Sequence, residues 1–135
     1  MNPKILMIDN DVDDRFLTKE MFQMHGFDAE IDFIDSSYFS NYTKDTSSKP
    51  HVILLDRNSR PGKFTDVIKQ IRATKGYEFV PIIILSDTAR AEDVRESYFL
   101  GANSFIKKPA DYKGTIFKIK SFIDYWFQSV ELPVA

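Results

Sequence analysis

The sequence contains no cysteine, so disulfide stapling, thiolate catalysis and cysteine-ligated zinc are all excluded. It has no apolar run approaching the roughly 18 residues of a membrane span. The first apolar run, Ile5 to Ile8, is too short for a signal-peptide core and passes directly into acidic residues. An excess of one charge is also missing. The formal net charge is −2 over 135 residues, which gives no basis for binding nucleic acid or an anionic membrane. Histidine is scarce, and neither His25 nor His51 has a partner at metal-ligand spacing. Internal repeats and low-complexity tracts are lacking; the nearest thing to a linker, Lys44 to Pro50, reads as a surface loop. The expectation is one cytoplasmic domain spanning 1–135, with no output domain attached. With 43% hydrophobic and 28% charged residues, it has the means to bury a single ordinary core.

What is present is an alternation of strand and helix patterns. Lys4 to Ile8, Val52 to Leu55 and Pro81 to Leu85 are short, apolar and rich in β-branched residues, as parallel strands covered on both faces should be. Ala29 to Ile34 and Ser104 to Lys107 are weaker strand patterns. Between them the spacing predicts helices over Val12–His25, Ser36–Thr43, Phe64–Thr74, Ala91–Leu100 and Tyr112–Val130, with Gly26, Gly76 and Gly101 as stop signals. In the first helix Phe16, Leu17, Met21 and Met24 share one side. In the last, Ile116, Ile119, Ile123, Trp126, Phe127 and Val130 form the expected core stripe. Phe117 and Tyr125 point elsewhere, with Phe122 at the margin. Five βα units imply a parallel, doubly wound sheet, whose ligands sit at the carboxyl ends of the strands near the switch in strand order.

Polar residues stand at those strand ends. Asp9, Asn10 and Asp11 follow the first strand, Asp56 ends the third, Ser86 ends the fourth, and Lys108 follows the fifth just before Pro109. Clustered carboxylates repel one another and call for a cation, and an all-oxygen donor set suits magnesium or manganese. A hydroxyl and an ammonium facing them suit a tetrahedral oxyanion. The combination describes a site for a metal-bound phosphoryl group. Asp13 and Asp14 read as first-turn acids that complement the helix dipole.

Four segments carry a resemblance. Ile5 to Arg15 resembles the first acidic motif of bacterial response-regulator receivers, and Val52 to Asp56 their phosphoacceptor strand. Ile82 to Ser86 resembles the strand that ends in Ser or Thr, and Gly101 to Pro109 the segment that ends in Lys-Pro. Spacings of 30 residues from Asp56 to Ser86 and 52 to Lys108 also suit that family. The resemblance spans nearly the whole chain and implies a flavodoxin-like (βα)5 fold with strand order 2-1-3-4-5. It implies that Asp56 accepts the phosphoryl group and that Mg2+ or Mn2+ is held by Asp9, position 10, Asp56 and the carbonyl of Asn58. Ser86, Phe105 and Lys108 are then the phosphoryl-contacting and switch residues. The partners implied are a sensor histidine kinase or a phosphotransfer protein, with signalling by protein–protein contact or phosphorelay. A homodimer through the fourth helix, fifth strand and fifth helix would use Tyr98, Phe117 and Tyr125. The segment Phe122 to Pro133 is similar to single-domain receivers associated with phytochrome-type sensor kinases.

The chain departs from the family pattern at four points. Asn10 stands where a second acid is usual, and Arg57 where an apolar residue is common. Pro61 lies five residues after Asp56 rather than four, without the later Gly. Asp87 stands where a small residue is frequent. Two other readings of the same residues exist. One is a pseudo-receiver that binds without phosphorylation. The other is a haloacid-dehalogenase-type phosphatase with Asp9 as nucleophile and Asp11 as acid, for which a later acidic metal motif is missing: the only aspartates after Lys108 are Asp111 and Asp124, neither ending an expected strand.

Overall fold

The computed structural model describes residues 2–45, 47 and 49–133. Its strands are β1 (Lys4–Ile8), β2 (Glu30–Ile34), β3 (Val52–Asp56), β4 (Ile82–Ser86) and β5 (Ser104–Lys107). Its helices are α1 (Val12–Met24), α2 (Phe39–Tyr42), α3 (Phe64–Ala73), α4 (Ala91–Leu100) and α5 (Tyr112–Ile123). The strands form one parallel sheet in the order β2-β1-β3-β4-β5. The chain therefore begins beside the middle strand, steps outward to β2, and crosses back to β3. The switch point lies between the carboxyl ends of β1 and β3, where Asp9 and Asp56 stand.

The continuous apolar strands are explained by two cores, one on each face. Alternate residues point to opposite sides of a sheet. Leu6, Ile8, Ile53, Leu55, Ile82 and Ile84 pack against Phe39 of α2 and against Val67, Ile68 and Ile71 of α3. Ile5, Met7, Val52, Leu54 and Ile83 pack instead against Phe22 of α1 and against Phe122 and Ile123 of α5. Each such side chain contributes about 1.5–3 kcal/mol on burial, so both layers are needed to hold the sheet.

The second core also contains a closed ring of aromatics. Phe22 lies 5.9 Å from Phe27, Phe27 5.1 Å from Phe127, Phe127 5.9 Å from Phe122, and Phe122 6.0 Å from Phe22, centroid to centroid. The contacts are tilted or edge-on, the arrangement that ring quadrupoles favour.

Three helices differ from the expectation. In α1, Phe16, Leu17 and Met24 are 65%, 43% and 52% exposed, and the buried pair is Met21 and Phe22. The inward stripe runs through Asp14, Thr18, Met21, Phe22 and His25. Its first turns are polar because they border the cleft at the strand ends, so hydrophobicity pointed to the wrong face. The last helix does not continue regularly to Val130. It passes at Asp124 into a π-helical segment, Asp124–Ser129, whose wider turns shift the phase of everything that follows. Phe122, expected at the margin, is buried, while Phe117 and Tyr125 are exposed. The second helix is split into a 3-10 turn, Ser36–Tyr38, capped by the Asp35 carboxylate, and the four-residue α2.

Candidate phosphoacceptor and metal site

Asp9 and Asp56 end the two strands that flank the switch point, and both are buried. Burial of a charged group requires partners. Asp56 has them on three sides. Its Oδ1 accepts from the Asn58 amide at 2.8 Å, its Oδ2 is ion-paired with the Lys108 ammonium, and its carbonyl accepts from the Ser59 hydroxyl at 2.8 Å. Asp9 is less well provided for. Its Oδ1 accepts from the Asp11 amide at 2.9 Å. Its Oδ2 is buried with no hydrogen-bond partner among the described residues. Burial pushes the Asp9 carboxyl up to about 7, the Asp11 amide opposes this, and the neighbouring Asp56 and Asp14 charges raise it further.

Lys108 is placed by the hydrogen bond from its own amide to the Ser86 carbonyl, 2.7 Å, at the end of the β4–β5 pairing. Its ammonium pairs with Asp56 and, at 3.3 Å, with Asp14. Burial alone would lower its proton affinity. The bond to Asp56 and the charges of Asp56 and Asp14 outweigh that and raise it above the usual lysine value.

The cleft measures about 520 Å3 and its walls include Asp9, Asn10, Asp14, Asp56, Asn58 and Lys108. Five residues expected at the site thus meet there, and Ser86 is joined to it through the bond its carbonyl accepts from the Lys108 amide. The Ser86 hydroxyl accepts from the Thr88 amide at 3.2 Å, which leaves its own proton free to donate. Phe105 lies further off, partly buried against the core on the α2–α3 side, and its strand partner is Ile84. Asp87 also borders the cleft.

Two features were not anticipated. Asp14 is no simple dipole acid, because Asp9, Asp14 and Asp56 each offer an oxygen within 4.8 Å of the others. Its helical phase relative to the cap was the available signal. Asp11 caps α1 by accepting from the Asp13 and Asp14 amides, and that commits its side chain to the helix. The second feature is Arg57. Its Nε donates to Asp93 Oδ2 of α4 at 2.9 Å, and its guanidinium lies 5.2 Å over the Phe64 ring. The residue after Asp56 is thereby tied to both α3 and α4.

The donor set fits a hard divalent cation. It is all oxygen, it is anionic, and it includes one buried carboxylate oxygen with nothing to bind.

A doubly wound sheet with an acidic pair, a paired aspartate and a facing lysine at its switch point is the architecture of phosphoryl-receiving signalling domains. A family model described as the response regulator receiver domain matches residues 5–119, and the chain belongs to that family. Receiver domains are regulatory modules rather than turnover enzymes, and the phosphatase reading of Asp9 and Asp11 falls with this assignment. Among its relatives is response regulator Rcp1 of Synechocystis sp., 24% identical over 137 residues, covering 97% of this chain and 93% of that protein. The structure of the phosphorylated cyanobacterial phytochrome response regulator RcpA superposes with a TM-score of 0.89 at 23% identity, covering 98% and 99% of the two chains. The Mn2+-bound form of Rcp1 gives 0.86 at 22%, with the same coverage.

Proposed function

We propose that this chain is a two-component response regulator that accepts a phosphoryl group on Asp56. The observation that carries the reading is the Asp56 carboxylate itself, buried at the switch point and ion-paired with Lys108. An Asp56 oxygen attacks the phosphorus of a phosphohistidine on a sensor kinase or phosphotransfer protein. A new P–O bond forms, the P–N bond breaks, and the imidazole keeps the electron pair. Bound Mg2+ or Mn2+ would neutralise the anionic oxygens as they crowd together. Asp9, the oxygen of Asn10, Asp56 and the Asn58 carbonyl would hold it. Lys108 pairs with one phosphoryl oxygen, and the Ser86 hydroxyl donates to another. The added charge, about −1.5 to −2, then biases Ser86 and Phe105 and moves the α4–β5–α5 surface. Tyr98, Phe117 and Tyr125 are exposed there, and that surface meets a target or a second copy of the chain. The chain removes its own phosphoryl group by hydrolysis but turns over no separate substrate.

Incubation with acetyl phosphate and Mg2+, followed by intact mass measurement, tests this. The wild type should gain one phosphoryl mass and Asp56→Asn none. Undiminished labelling of Asp56→Asn would refute the assignment. An unlabelled wild type would leave a phosphorylation-independent binding module.

A further inference from the structure

We infer that Asp14 supplies the carboxylate missing at position 10 and is a direct ligand of the divalent cation. This rests on the phosphoacceptor reading above and names a ligand that reading lacks. Asn10 brings an oxygen to the cleft but no charge. Asp14 brings both. It lies in the first turn of α1, where the Asp11 cap fixes the backbone and the inward stripe of the helix faces the strand ends. Oxygens of Asp9, Asp14 and Asp56 lie within 4.8 Å of one another. One cation with ligands at about 2.0–2.6 Å can bridge such a span.

The second observation is the bare Oδ2 of Asp9. It is buried, and no donor among the described residues reaches it. The cation bonded to the cluster is Lys108, and its ammonium reaches Asp14 and Asp56, not Asp9. The cleft walls as a whole carry five carboxylates, Asp9, Asp11, Asp14, Asp56 and Asp87, against Lys108 and Arg60, an excess of negative charge that a divalent ion would reduce. Lys108 pairs with both Asp14 and Asp56. Asp14 as a ligand would share its carboxylate with the ion, and Lys108 would remain beside Asp56 to pair with a phosphoryl oxygen.

Manganese uptake by the full chain, followed as loss of the free Mn2+ electron paramagnetic resonance signal, tests the inference without phosphorylation. Asp14→Asn should weaken binding by about tenfold or more, since the ligand count and charge both set affinity. Asp13→Asn removes the same charge from an exposed neighbour in the same turn and should change affinity by no more than about twofold, because exposed charges are screened. Asn10→Asp combined with Asp14→Asn should recover most of the loss, because the carboxylate has been moved rather than deleted. Equal binding by Asp14→Asn and wild type would overturn the inference, as would an equal loss in Asp13→Asn, which would mark a long-range field instead of a ligand. A wild type that takes up no Mn2+ would sink the phosphoacceptor reading itself. Circular dichroism melts of each variant separate these outcomes from misfolding.

Discussion

Replacing Asp9 by Asn should stabilise the metal-free protein at pH 8 and do so by less than half as much at pH 5. The Asp9 carboxyl is raised from 3.8 to about 7, chiefly by burial and then by the Asp56 and Asp14 charges. An acid whose folded value is raised binds its proton more tightly when folded than when unfolded. Stability is thus highest below about pH 4 for this group and falls as pH rises toward 7, where the folded protein must also give up the proton. A rise of about three pH units corresponds to roughly 4 kcal/mol at 1.36 kcal/mol per unit. The cleft is open to water, and screening reduces this to about 2 kcal/mol. Asn keeps the oxygen that accepts from the Asp11 amide but carries no charge at any pH. Urea unfolding in a chelating buffer at both pH values should therefore show Asp9→Asn more stable than wild type by about 2 kcal/mol at pH 8 and by only about 0.7 kcal/mol at pH 5, because between the unfolded value of 3.8 and pH 5 only the first part of the loss has accrued. Added Mg2+ should reverse the order at pH 8, because binding stabilises only the chain that keeps its ligand. A destabilised variant at pH 8, or the same difference at both pH values, would refute the electrostatic account.

Two further outcomes follow from contacts around the site. The Arg57–Asp93 pair is partly buried, and a double-mutant cycle with Arg57→Ala and Asp93→Ala should give a coupling of about 1 kcal/mol in urea unfolding; a value of zero would mean that the pair does not fasten α4. If the α4–β5–α5 surface forms the assembly, beryllium fluoride should increase the sedimentation coefficient of the wild type and not of Phe117→Ser with Tyr125→Ser; a wild type that stays monomeric throughout would remove the dimer.

The sheet and its strand ends were readable in the sequence because three strands are buried on both faces, so each is an unbroken apolar run that stops at a polar residue. Asp9, Asp56 and Ser86 were placed by that rule, while Lys108 follows the weaker fifth pattern and was marked by the Pro109 after it. The rule failed where polarity and burial part company. The inward stripe of α1 contains Asp14 and Thr18, and a search for apolar residues therefore selected Phe16 and Leu17, which face water. A site at the end of a sheet makes its bordering helix look inverted. In the last helix the phase changes at Asp124, and a constant period cannot register one wider turn. The Arg57 clamp depends on Asp93, which is 36 residues away, and no local pattern pairs them.

The ring of four phenylalanines has a consequence for how this module can be exchanged. The family match stops at Ile119, yet two members of the ring, Phe122 and Phe127, lie beyond that point, and Phe127 reaches back to Phe27 in the connection after α1. A graft or fusion that took the family boundary as its seam would keep the whole phosphoacceptor cleft and discard half of the ring. Phe22 and Phe27 would keep each other but each would lose its second partner, and the wall formed by α1 and α5 would be held by fewer contacts. The functional seam of the module lies after the π-helical segment, past Ser129, where the aromatic contacts have been completed.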